Sequence, residues 1–268
     1  MESSIALERP TPAAPSHFLA GAGNVFHKEL REWFRTRKFL VTTALTSLML
    51  AALPVITFLH EGGLHDGRIN SGYMPSMEAW MGLTLTLGAY LIVALTMGVI
   101  VKEEDAGTAQ WLFTKPVSRT GYVLAKYAGN VVAVLLSAII IPSVVFVALT
   151  AATQASGITA WTPVIEGVAF ASLHAAIVVA VVMGLSAFFR TTAPIAGIAI
   201  GLGFLPLFLQ RFVTAKVINL FPVNIGAIAG HAVRGEALTP WQPVICGIII
   251  AVVALTVACY RIERRQLQ

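Results

Sequence analysis

Apolar residues along this chain come in long runs that show no alternation with polar ones. Six such runs lie near 39–59, 79–101, 123–150, 163–189, 194–212 and 242–260. A helix rises 1.5 Å per residue, so crossing roughly 30 Å of hydrocarbon takes about 20 apolar residues. Runs that are apolar on every side predict helices, because strands of a membrane barrel would alternate over short segments. The expected fold class is therefore all-α: a polytopic membrane protein with six transmembrane helices. The third and fourth runs are long enough to tilt or to extend past the bilayer. Pro54, Pro142 and Pro206 fall inside runs and are expected to kink them or to mark irregular turns.

The polar segments carry as much information as the runs. Phe26, Leu30, Trp33 and Phe34 recur at i, i+4, i+7 and i+8, with Lys28, Arg31, Arg35 and Lys38 between them. This spacing predicts an amphipathic helix over 24–38, capped by Asn24. It would lie in the membrane interface with its aromatic residues in lipid and its cations at the headgroups. Residues 1–23 are rich in Pro, Ala and Ser and read as a disordered cytoplasmic tail without the apolar stretch of a signal peptide. The segment from Thr214 to Trp241 is apolar but interrupted by Pro222 and Gly226. A pair of short re-entrant or interfacial helices is expected there. Residues 262–268 form a short cytoplasmic tail after a membrane domain at 39–261.

Composition supports the membrane class: 57% of residues are hydrophobic and 12% are charged, where soluble domains carry about 25% charge. The net charge of +5 does not point to nucleic acid, because the cations gather at the ends of apolar runs. With both termini inside, only Arg68, Arg211, Lys216 and Arg234 of the 18 lysines and arginines fall on the outer side. The positive-inside rule then puts both termini in the cytoplasm, within a plasma (inner) membrane. Cys246 and Cys259, thirteen residues apart on one run, would stand about 20 Å apart on a helix. That is too far for a disulfide between them.

Between the second and third runs lies a polar island, Lys102 to Lys126. Glu103, Glu104 and Asp105 close the second run. Gly107 and Thr108 allow a bend, and residues 109–113 can form a short helix carrying Trp111, Leu112 and Phe113. Pro116 breaks that helix, and Ser118 can cap the third run. The order Glu103, Gly107–Thr108, Pro116–Val117–Ser118–Arg119 and Lys126 resembles the E-x-x-x-G-T … P-V-S-R … K signature of the ABC-2 class of ABC transporter permeases. The interfacial helix, the six runs and the broken outer segment are similar to that family from about Asn24 onward. Permeases of nitrous-oxide-reductase maturation and of drug or peptide export share such sequences.

The resemblance implies a transport subunit, not an enzyme. It would be an exporter component whose 102–122 loop docks on a separate ABC ATPase subunit, with ATP and Mg held there and no cofactor bound by this chain. Glu103, Asp105, Gly107, Thr108, Trp111, Leu112, Phe113, Pro116 and Arg119 would make or position that contact, with Glu103 and Asp105 pairing with cations such as Arg119. No G-x-x-x-x-G-K-[ST] phosphate loop occurs in the sequence, nor does H-E-x-x-H or G-x-S-x-G. A second permease copy or paralogue and membrane lipids complete the expected partners. His174 and Glu166 in the fourth run are candidates for the transport path, since ionisable groups at membrane depth are rarely idle. His60, His65 and Asp66 could hold a metal but read as a polar outer loop. The alternative class is a non-transporting membrane scaffold, sensor or maturation component.

Overall fold

The computed structural model describes residues 18–60, 73–108, 117–153, 161–209 and 212–264; at 54, 57–60, 73–76, 153, 206, 207, 215 and 216 it describes the backbone alone. The tail through residue 17, the helix expected at 109–113 and the His65–Asp66 pair lie outside the described residues, as does the His60 side chain. Among the described residues every regular element is helical. In chain order these are α1 (Ala22–Arg35), α2 (Arg37–His60), α3 (Tyr73–Thr96), α4 (Val101–Asp105), α5 (Arg119–Val134), a π-helical segment (Leu135–Ile140) and α6 (Ile141–Thr153). There follow α7 (Trp161–Ser186), α8 (Thr192–Leu209), α9 (Ala215–Ile218), a 3-10 turn (Pro222–Asn224), α10 (Ile225–Val233) and α11 (Gln242–Arg264). Among the described residues, four rods are long and apolar enough to cross a membrane: Met77–Asp105, Arg119–Ala152, Trp161–Ser186 and Gln242–Arg264.

The axis of the bundle is α7, against which α3, α5, α8, α10 and α11 all pack. Its buried positions are mostly small or β-branched, including Ala171, Ala175, Val179, Ala180 and Val182. Small side chains let helix backbones approach closely where lipid provides no hydrophobic drive for association. Gly184 lies against Ala254 of α11 on this principle, so closely that an added Cβ would be 3.0 Å from the Ala254 Cβ. The far side of α11 leaves Ile245, Ile249, Val252 and Val253 exposed. An apolar face of that extent belongs in lipid rather than water.

The segment expected to be interfacial differs in detail from its sequence reading. It starts at Ala22, not after Asn24, and Gly21 precedes it with φ +73° and no side-chain cap. Thr36 breaks it from α2. Its buried stripe is Val25, Glu29 and Trp33, a face that includes a carboxylate and that packs on α5. Phe26 and Leu30 are half-buried and Phe34 is exposed, tilted against Phe39 at 4.6 Å between ring centres.

The second run is also interrupted. The helix α3 stops at Thr96, a turn occupies 97–100, and α4 resumes at Val101. In the third rod the irregularity precedes Pro142. The N–H of Ile141 bonds back five residues to the Leu136 carbonyl, and Pro142 has no N–H to give. The Ser137 carbonyl therefore loses its helical donor, and the Thr46 hydroxyl of α2 approaches it at 3.0 Å. The same hydroxyl is 2.7 Å from the Thr42 carbonyl, so one proton is shared between the two. The helices α2 and α8 run on through Pro54 and Pro206.

The apolar segment 214–241 folds as α9, the 3-10 turn and α10, then runs to Trp241 without regular structure. The helix α10 buries Ile225, Ile228, Ala229, Ala232 and Val233 against α3 and α7.

Candidate functional site

Where α1, α4 and α5 meet, seven charged or polar side chains share one largely buried network. Lys126 of α5 is 1% exposed. Its ammonium lies 2.5 Å from a Glu29 carboxylate oxygen of α1, 3.1 Å from Glu103 of α4, and 3.1 Å from the Val99 carbonyl. That carbonyl belongs to the turn between α3 and α4, so the lysine satisfies an acceptor the broken helix has freed. Asn130, one turn after Lys126, donates to the second Glu29 oxygen at 3.2 Å and accepts from the Trp33 indole at 3.0 Å. Tyr122, one turn before Lys126, donates its hydroxyl to Glu103 at 2.8 Å.

Lys28 completes the set with an ion pair to Glu103 at the rim. Burial alone would lower the Lys28 pKa. The hydrogen bond and charge of Glu103 outweigh it, and the ammonium is held above the ordinary lysine value. Glu32 brings a third carboxylate within 4.8 Å of Glu29 and Glu103, but the two ammonium groups already supply the cations these acids need. Three donors converge on Glu103 and three acceptors on Lys126, so neither charge is buried without partners.

The spacing of the helices depends on Gly129. A Cβ at that position would lie 2.8 Å from the Glu29 Cβ, inside contact distance, so α1 can approach α5 this closely only over a glycine. The start of α5 is fixed separately. Ser118 caps it, accepting from the Gly121 N–H at 2.9 Å, as the sequence suggests. Its hydroxyl donates to the Phe18 carbonyl and its own N–H donates to Ala20 at 3.0 Å. Arg119 reaches α11, donating to the carbonyls of Ile262 at 3.2 Å and Glu263 at 2.6 Å. Cations at a helix C-terminus satisfy its last carbonyls and its dipole. Glu103 thus pairs with Lys28 and Lys126, while Arg119 serves α11.

The remaining sequence candidates are placed as follows. Gly107 takes φ +67°, the left-handed region where a side chain is strained, and Thr108 follows it, half-buried. Asp105 is exposed at the end of α4. Trp111, Leu112, Phe113 and Pro116 lie outside the described residues. Glu166 is half-buried on α7. His174 is 5% exposed and borders a cavity among α3, α7 and α8 that Glu166 does not reach. The structure therefore does not bring the two together.

Sequence reasoning missed Glu29 and Asn130, and it placed Lys126 only as part of a motif. The usable signal was spacing. Val25, Glu29 and Trp33 repeat every fourth residue, as do Tyr122, Lys126 and Asn130. The Glu29 carboxylate on the first stripe meets Lys126, flanked by Tyr122 and Asn130, on the second.

Residues 23–267 match a family described as ABC-2 family transporter protein. The chain is also similar to an uncharacterized transmembrane protein, YxlG, of Bacillus subtilis (strain 168), 33% identical over 72 residues. That match covers 25% of this chain and 28% of the relative, so the chain spans little more than a quarter of the length of the curated protein it matches.

Proposed function

The chain belongs to the ABC-2 transporter family, and from that premise we propose that it is the permease subunit of an exporter driven by a separate ATPase subunit. Membership makes it a membrane component of an ABC transporter rather than an enzyme. The proposal adds direction, topology and coupling. We place six spans, counting α2 and α8 with the four long rods. Both are helical and apolar, and the 24 residues of α2 would extend about 36 Å. The lysine and arginine bias places both termini in the cytoplasm of a plasma-membrane protein, with the segment from α9 to α10 re-entrant from the outer side. Two such subunits would flank the path for an amphipathic cargo, with His174 on it.

The observation that carries the coupling role is that both ends of the 106–118 loop are anchored in different helices. On one side Glu103 is held by Lys28 and Lys126. On the other, Ser118 is tied to residues 18–20 and Arg119 to the end of α11. A partner that moved this loop would act on α1, α5 and α11 together. Trp111, Leu112 and Phe113 are the contacts we assign to the ATPase, where ATP and Mg would bind.

The test is purification of the full chain with its ATPase from co-expressing cells, followed by reconstitution. Replacing Trp111 and Phe113 with Asp should release the ATPase while leaving the permease folded by size-exclusion chromatography. An ATPase that stays bound, with substrate-stimulated hydrolysis intact, would remove the loop from the mechanism.

A further inference from the structure

The helices α3, α7 and α8 and the 3-10 turn surround a cavity of about 220 Å³. Among the described residues no Asp, Glu, Lys or Arg lies on its wall, which is apolar apart from Thr86, Tyr90, His174 and backbone. His174 is 5% exposed, and neither of its ring nitrogens has a hydrogen-bond partner among the described residues. Buried polar groups are nearly always partnered, and one that is not calls for a physical reason.

We propose that this cavity binds an uncharged aromatic molecule carrying a hydroxyl group, which His174 recognises. The proposal deepens the path role given above to His174, and its test uses neither ATPase nor transport, so it can fail while the permease reading stands. Each attribute of the ligand follows from the wall. A charged group would enter a dry site with no counter-charge. Tyr90 and Phe221 offer flat surfaces, and Tyr90 is itself fixed by stacking on Phe204, 4.8 Å between centres and 16° between planes. Gly203 leaves the room for this, since a Cβ there would already be 3.3 Å from the Tyr90 ring. Apolar cavities of roughly 150 Å³ hold benzene, and a space of about 220 Å³ accepts a second fused ring.

The hydroxyl follows from the imidazole. A neutral imidazole has one N–H and one bare acceptor nitrogen, and neither meets a partner among the described residues. An acceptor needs a donor, which a phenol supplies and a ketone or ether does not. The ring nitrogens are covered in the structure, so an occupant is met by a turn of the imidazole toward the cavity it already borders.

The experiment measures binding of 2-naphthol and naphthalene to the full chain in lipid nanodiscs, with protein-free nanodiscs as blanks. The wild-type chain should bind 2-naphthol saturably and about tenfold more tightly than naphthalene. His174→Leu should erase that preference while retaining naphthalene. Ala199→Phe, which fills the cavity from α8, should abolish both. A ¹⁵N shift of one histidine ring on adding 2-naphthol to wild type, absent in Ala199→Phe, reports the bond independently of whether His174→Leu folds. No saturable 2-naphthol binding above blanks, equal binding of the two compounds, or no histidine shift would each overturn the proposal.

Discussion

The two ends of the bundle hold ion pairs of similar length and opposite character. At one end Lys126, Glu29 and Glu103 meet at 2.5–3.1 Å with side-chain exposures of 2%, 5% and 12%. At the other, Arg234 meets Glu236 and Glu78 at 2.9 and 3.3 Å with exposures of 34%, 47% and 48%. Distance does not separate them, whereas burial does. Exposed pairs exchange one set of water contacts for another and contribute little. A buried charge has no water to fall back on, so losing its partner leaves it stranded. The first end therefore fixes how α1, α4 and α5 sit together, and the second only decorates a surface.

The largest effect expected from this contrast is at Lys126. Lys126→Ala strands Glu29 and should destabilise the fold by about 3–5 kcal/mol, read as a fall in melting temperature in detergent. The double replacement Lys126→Met with Glu29→Leu should recover most of that loss, because it removes the stranded charge with its partner. A double variant as unstable as the single one would mean packing, not charge, holds this end. Next is Gly129→Leu, which pushes α1 from α5 and should lower stability by about 1–3 kcal/mol; increased protease cleavage near residue 36 would report the loosened helix.

Arg119→Gln comes third. It removes charge-assisted bonds to two carbonyls of α11, worth about 1.5 kcal/mol, and should speed amide exchange in the last turn of that helix and not at its start. The smallest effect belongs to the exposed end. Arg234→Ala should leave the melting temperature unchanged at neutral pH. The Glu236 carboxyl is held down to about 2 by the Arg234 hydrogen bond and then by His231. A lowered carboxyl contributes above its ordinary range and loses that contribution as pH falls toward 2. A measurable melting difference between wild type and Arg234→Ala at pH 7 that vanished in acid would show this end to matter more than its exposure allows.

Much of this contrast was legible in the sequence and some was not. The apolar runs, the bend at Gly107 and the Ser118 cap each depend on a few neighbouring residues, and local chemistry suffices to read them. The motif from Glu103 to Lys126 was visible as an order of letters, but its closure into an ion pair depends on how α4 and α5 cross. The α1 face that runs through Phe26, Leu30 and Phe34 omits Glu29, which the structure buries. Only a lysine from another helix makes it an inward residue. The turn at 97–100 left no mark, since Met97, Val99 and Ile100 continue the apolar run, and the carbonyl it frees is met by a side chain 27 residues later.

The π-helical segment at Leu135–Ile140 has a consequence for how one rod serves two seams. Widening a single turn by one residue advances the helical phase by about 100°. The helix before it packs on α1 and α11, and the helix after it packs on α2. The third rod thus works as two helices with offset phases joined without a loop, and Thr46 closes the seam where the phase slips.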